Sequence, residues 1–237
     1  MRVFLDIDIG DREAYDREGA AHKVTADYLT SVGSQYGLPD RLEELDGEGR
    51  ETLQEAFKAD PSWSKKAAFT PIAPKNIRAG RLIVELYTEE APKASENFRC
   101  LCTGEKGVGK ASKKALHYKG TKFHRIVKGF VCQGGDIVRG DGSGGDSIYG
   151  RTFNDEKGAL KLKHDGAGVL GMANSGKNTN SSQFFFTLGS APKCDGKHVV
   201  LGKVVDGLHI LTQIDEEAAS EDGTPRVEVT IAECGQL

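Results

Sequence analysis

Residues 2–8 alternate apolar and polar side chains with a period of two, which predicts a strand. Further strand patterns fall at 81–87, 168–173, 183–188, 199–204 and 227–232. Between the first two the period changes. Tyr15, Ala21, Val24, Tyr28, Leu29, Val32 and Tyr36 recur near 3.6 residues, and Gly37-Leu38-Pro39 stops the run. Asp40, with Glu43 three residues on, reads as a capping box that opens a second helix. Its stripe is Leu42, Leu45, Leu53, Ala56 and Phe57, and Asp60-Pro61 ends it. Pro71 and Pro74 mark a linker back to strand. Two more helices are predicted, one from Glu90 with Pro92 in its first turn and one over 208–214. The chain therefore reads as 1–10, an inserted helical segment 11–77, and 78–237.

Composition sharpens that division. The hydrophobic fraction of 38% and charged fraction of 28% suit a soluble globular chain. Its net charge is only −3, but residues 11–60 hold 13 acidic and 6 basic side chains. The insertion is acidic and the remainder mildly basic, so no polyanion partner is expected for the whole molecule. No apolar run is long enough to cross a membrane, and the acidic start does not resemble a secretory leader. Five cysteines, an odd number, point to reduced thiols and a cytoplasmic or nuclear setting. Cys100 and Cys102 are expected to be buried, with a redox role the less favoured reading, and a redox role for Cys132 is left open.

The stretch with the most chemistry runs from Lys122 to Asp136: a strand, a turn at Lys128-Gly129, and a second strand. By the period of two, Phe123, Arg125 and Val127 share one face, with His124 and Ile126 on the other. A long cation on an apolar face has two readings. It is either an edge residue paired with a carboxylate or a donor aimed into an apolar groove. Other constellations fail. Asp6-x-Asp8 lacks the glycine and terminal acid of a calcium loop. The six histidines have no metal-ligand spacing, and no serine sits in a nucleophile elbow. The Gly140–Asp146 loop lacks the ending of a phosphate loop, and the lysines from Lys106 to Lys122 have no aromatic interleaving to suggest nucleic acid.

Phe123-His124-Arg125-Ile126 followed by Gly129-Phe-Val-Cys-Gln-Gly-Gly-Asp136 resembles the signature of the cyclophilins, a family of peptidyl-prolyl cis/trans isomerases. The likeness continues through Asn174–Phe185, Asp195–Val200 and Gly202-Lys203-Val204 and covers 80–237 almost without a break; residues 1–8 are similar to the family's first strand. Residues 110–116 resemble the longer loop of a subset of members. The resemblance implies a mainly β fold: a closed eight-stranded antiparallel barrel capped by two α-helices, here with a helical hairpin inserted after the first strand.

It also implies a site. Arg125 matches the catalytic arginine, and Phe130, Val131, Phe185 and His198 match the proline pocket. Gln133 matches a residue that orients the arginine and contacts substrate. Asn174 matches a backbone-holding position, while Gly142, Ser143, Ala173, Ser175 and Gln183 match a neighbouring pocket for residues before the proline. Two departures stand out. Val131 replaces a usual Met, and Lys193-Cys194 stand where Trp-Leu is common, which implies weak cyclosporin binding. The expected partners are proline-containing peptides and flexible protein segments, with no cofactor or metal, and the protein is expected to be a monomer. A binding module in which 11–77 recruits a protein partner is the alternative.

Overall fold

The computed structural model describes residues 1–237. They divide into two compact units, Met1–Gly10 with Arg78–Leu237, and Asp11–Ile77.

The larger unit is an eight-stranded antiparallel sheet. Its strands are β1 (Arg2–Ile9), β2 (Arg78–Leu86), β3 (Arg125–Val127), β4 (Val131–Gly134), β5 (Val169–Met172), β6 (Phe184–Thr187), β7 (Val200–Asp206) and β8 (Val229–Gln236), in the spatial order β3-β4-β6-β5-β7-β2-β1-β8. β1 lies inside the sheet, pairing with β2 on one side and β8 on the other. Register shifts in the β1–β2, β1–β8, β2–β7 and β5–β7 ladders mark irregularities of the kind that add twist and curl a sheet. The expected closed barrel is not formed as a continuous ladder, because β3 and β8 are edges that do not pair as strands. β3 is only three residues long, and the chain crosses to β8 before it begins. Gly120 N–H donates to Ile231 O at 2.7 Å, Phe123 N–H to Val229 O at 2.9 Å, and Ile231 N–H to Thr121 O at 2.9 Å.

One face of the sheet is the core. Ile126, Cys132, Leu170, Met172, Phe184 and Phe186 are fully buried there, with Phe98 and Tyr118 stacked edge-on to Phe184. Two helices, α4 (Pro92–Thr103) and α5 (Leu208–Glu217), pack on β8 and β2 respectively. The alternation expected around Arg125 is corrected at one point. Phe123 and Ile126 both enter the core, while Arg125 is exposed. The strand starts only at Arg125, so the phase resets at His124 and Arg125 shares a face with Val127 alone.

The smaller unit holds α1 (Arg12–Val32), α2 (Gly47–Ala59) and the single turn α3 (Pro61–Ser64), with 3-10 turns at Gly33–Tyr36 and Leu42–Glu44. Asp11 caps α1 by accepting from Ala14 N–H. Gly37 adopts the left-handed conformation, φ 65°, that ends the first helical run. The second helix begins later than its sequence suggests. Asp46, not Asp40, is its N-cap, accepting from Gly49 N–H at 2.8 Å, because residues 42–45 first make a tight turn that buries Leu42 and Leu45. Tyr28, Leu29, Leu42, Leu45, Leu53 and Phe57 form this unit's own core, with Tyr28 and Phe57 edge-to-face at 5.2 Å.

Candidate active site

Strand register builds the site on the face of the sheet opposite the core. Arg125 of β3 stands opposite Gln133 of β4, Gln133 opposite Phe185 of β6, and Phe185 opposite Gly171 of β5. Directly opposed residues present their side chains on one face, so a cation, an amide and an aromatic ring form a row across the sheet. Gly171 ends the row for a steric reason. A Cβ there would lie 2.5 Å from Phe185 Cζ, so the ring occupies the place a side chain would take.

Phe185 is the floor of an apolar pocket. Val131, Ala173, Ala191, Phe185 and Cys194 are buried together, with Phe130 half-exposed at the margin. The ring is fixed from two sides: His164 stacks on it at 5.6 Å and His198 meets it edge-on at 5.5 Å. His164 is itself held by Asp195, whose Oδ1 accepts from both His164 N–H and the ring Nδ1–H at 3.0 Å. Those two bonds, with Lys163 beside them, pull the Asp195 carboxyl down to about 2. His198 donates Nδ1–H to Met172 O at 3.0 Å, since a carbonyl can only accept. Burial pushes its pKa below the usual histidine value, so the ring facing Phe185 is neutral at pH 7.

Beside the row lies a polar cavity of about 670 Å³. Gln133, Gly142, Ser143, Ala173, Asn174, Ser175 and Gln183 all line it, together with residues the sequence reading did not single out: Ser112, Arg139, Asp146, Arg151, Thr179 and Ser181. Gln183 ties the cavity to the row. Its Nε2 donates to Gly142 O at 2.8 Å and Gly144 O at 2.6 Å, and its Oε1 accepts from Gln133 Nε2 at 2.9 Å. Buried Asp136 shapes the wall by accepting four backbone N–H groups, from Val138, Arg139, Gly142 and Gly144. Burial opposes its ionisation, but the four bonds win and hold the carboxyl below the usual range. Asp146 does the same for the longer loop, accepting from Ser112, Ser147 and Arg151 N–H. The signal for both was their position in glycine-rich turns, where Asp commonly bonds backbone two or three residues on.

Arg125 is exposed and its guanidinium makes no ion pair or hydrogen bond, so the carboxylate-paired edge reading does not hold. Gln133 faces it across the ladder, but the Gln133 amide donates to Gln183 and not toward the guanidinium's side of the row. Asn174 is anchored through Nδ2 to Lys197 O at 3.0 Å. Lys193 is exposed in the 3-10 turn Pro192–Cys194 and does not line the polar cavity, whereas Cys194 beside it belongs to the apolar pocket. All five cysteines are free and buried, and burial pushes Cys132 up to about 12. Cys100 lies with Glu96 and Glu105 in the one cluster of potential metal donors. The Arg99 guanidinium occupies it, bonding Glu96 Oε1 at 2.8 Å and Glu105 Oε1 at 2.7 Å.

An unpartnered guanidinium, a ring-lined apolar pocket and, beside them, a polar trough thus lie together on the sheet. Comparison with known proteins gives the family. The family described as cyclophilin type peptidyl-prolyl cis-trans isomerase/CLD matches residues 73–236, and the chain belongs to that family. It is 52% identical over 160 residues to peptidyl-prolyl cis-trans isomerase cyp11 of Rhizopus delemar, covering 68% of this chain and 47% of that protein. It is 51% identical over 174 residues to peptidyl-prolyl cis-trans isomerase 9 of Caenorhabditis elegans, covering 73% of this chain and 56% of that protein. The chain thus spans about half the length of these curated relatives. β1 lies outside the matched residues, yet it completes the sheet.

Proposed function

We propose that this chain accelerates rotation about Xaa-Pro peptide bonds in proline-containing peptides and flexible protein segments. The observation that carries the reading is the Arg125–Gln133–Phe185 row, with an unpaired guanidinium at one end and an apolar cluster around the Phe185 ring at the other. Amide resonance sets a barrier of about 18–20 kcal/mol, and the catalyst must favour the twisted amide over both planar forms. Twisting makes the prolyl nitrogen pyramidal and gives it a lone pair that accepts a hydrogen bond. Arg125 donates that bond with a permanent charge and rigid geometry. Phe130, Val131, Phe185 and His198 hold the ring and shed water, which strengthens the donor's effect. Asn174 holds the peptide backbone, and the cavity lined by Gly142, Ser143, Ala173, Ser175 and Gln183 takes the residues before the proline.

The test is cis/trans exchange of an Ala-Pro-Phe type peptide, followed by NMR without a coupling protease. Arg125→Ala is expected to slow exchange by about 10²–10³, the usual cost of removing one preorganised donor. Tight peptide binding without exchange would make the chain a proline-recognition module instead. That second reading draws on the smaller unit, which is acidic, has its own core and exposes Tyr36 and Ile72 as a surface for a protein partner. The five buried free thiols fit a reducing compartment, the cytoplasm or nucleus.

A further inference from the structure

We propose that Gly223 is a positioning residue for Arg125, and that the turn carrying it clasps the catalytic strand. The proposal rests on the isomerase reading and adds the part of the chain that aims the guanidinium.

β3 is an edge strand, so the outward N–H and C=O of Ile126 have no ladder partner. The connection from α5 to β8 supplies one. Ile126 N–H donates to Gly223 O at 2.9 Å, Ser220 N–H donates to Ile126 O at 3.1 Å, and Lys128 N–H donates to Ser220 O at 3.0 Å. The clasp is braced internally. Ser220 Oγ donates to Asp222 Oδ1 at 2.7 Å and accepts from Gly223 N–H at 3.0 Å, while Thr224 N–H donates to Asp222 Oδ1 at 2.9 Å. The Asp222 carboxylate is therefore engaged by its own turn.

The contact with Arg125 is one of shape. A Cβ built on Gly223 would lie 3.1 Å from Arg125 Cγ, 3.1 Å from Val127 Cγ2 and 3.4 Å from Arg125 Nε. The aliphatic stem of Arg125 runs across the bare glycine. No acid fixes the guanidinium, so this floor and the clasp beneath it limit where the donor points. Gly223 also has φ +90°, a conformation that side-chain-bearing residues rarely adopt. Both requirements select glycine at a position about a hundred residues from Arg125 in sequence.

The experiment measures kcat and KM for the proline peptide with Gly223→Ala in the wild-type and Arg125→Ala backgrounds. It also follows the Arg125 Nε–H resonance in protein labelled with 15N-arginine. Gly223→Ala is expected to lower kcat about tenfold with KM within about twofold, since small displacements of a catalytic donor are costly. In the Arg125→Ala background the same change is expected to alter the residual rate by less than about twofold. Equal losses in both backgrounds, or a rise in KM at constant kcat, would overturn the proposal. The Arg125 resonance is expected to move in Gly223→Ala whether or not the peptide turns over, and an unmoved resonance overturns the proposal independently. A wild-type protein without exchange would instead remove the isomerase reading. If Gly223→Ala does not fold, Ser220→Ala loosens the clasp without adding atoms over Arg125 and is judged by the same criteria.

Discussion

The side-chain amide of Gln133 donates to Gln183 Oε1 at 2.9 Å, and this bond ties the row that holds Arg125 to the wall of the polar cavity that both glutamines line. Gln183 is 8% exposed and spends its own donors on Gly142 O and Gly144 O. Gln183→Ala would leave those carbonyls and the Gln133 amide without their partner. The expected result is a loss of about 1–3 kcal/mol in urea unfolding, together with a larger fall in kcat/KM for long peptides than for short ones. Equal falls for both lengths would show that Gln183 does not shape the cavity.

Asp195 supports the pocket at one remove, through His164 and then Phe185. Its folded-state pKa lies below the ordinary value of 3.8, at about 2. A depressed carboxylate contributes stability that is full above 3.8 and is lost as pH falls toward about 2. Acid unfolding of Asp195→Ala should therefore lack the part of the transition in that window. Its KM for peptide should also rise, because His164 no longer braces the ring.

The proposed chemistry moves no proton to a titrating side chain, and burial lowers the ordinary histidine value of 6.5 at His198 and at His124, whose ring lies against Gly142 of the cavity wall. His124 has both ring nitrogens buried without a partner, and in His198 burial lowers the pKa while Met172 O, accepting from Nδ1–H, holds the tautomer. From pH 6.5 upward kcat/KM should be level. Below that value protonation of the unfolded state is favoured over the folded one, so stability should decline as pH falls. A step in kcat/KM between pH 7 and 8 would point to a general base outside the row.

Lys193 offers an exposed cation where many cyclophilins carry an indole. Cyclosporin inhibition is expected to be weak, and Lys193→Trp should strengthen it by about tenfold or more, a gain of about 1.4 kcal/mol. Submicromolar inhibition of the unaltered protein would sink the idea.

Leu53 is fully buried in the core of the smaller unit. Leu53→Ala is expected to cost about 2–5 kcal/mol there, read as an earlier unfolding of Trp63 fluorescence, while peptide exchange continues. Joint loss of both signals would show the two units to be one cooperative body.

The sequence made the row legible because Arg125, Gln133 and Phe185 lie in a dense motif and strand pairing brings them together. The supports were less visible. Asp136, Asp146 and Gly223 look like ordinary turn residues, and only tertiary hydrogen bonds and close approach give them a task. The phase of β3 was misjudged because a period of two assumes an unbroken strand, whereas the chain resets at His124. Asp40 lost to Asp46 as a cap because burying Leu42 and Leu45 outweighed a local capping pattern. Closure of the barrel failed for a similar reason, since three residues of β3 are too few to form a ladder with β8.

β1 and β2 are neighbours in the sheet, with Asp8 opposite Arg78, yet about seventy residues separate them. Closing a flexible loop of that length costs about 2 kcal/mol more than closing a turn a tenth as long. An insertion that orders before the strands meet lowers that cost, because the segment left to close is then shorter and stiffer. On that reading the acidic unit fastens β1, the strand next to one edge of the sheet, to β2, and a defect in Leu53 or Phe57 is expected to slow refolding of the sheet without abolishing peptide exchange.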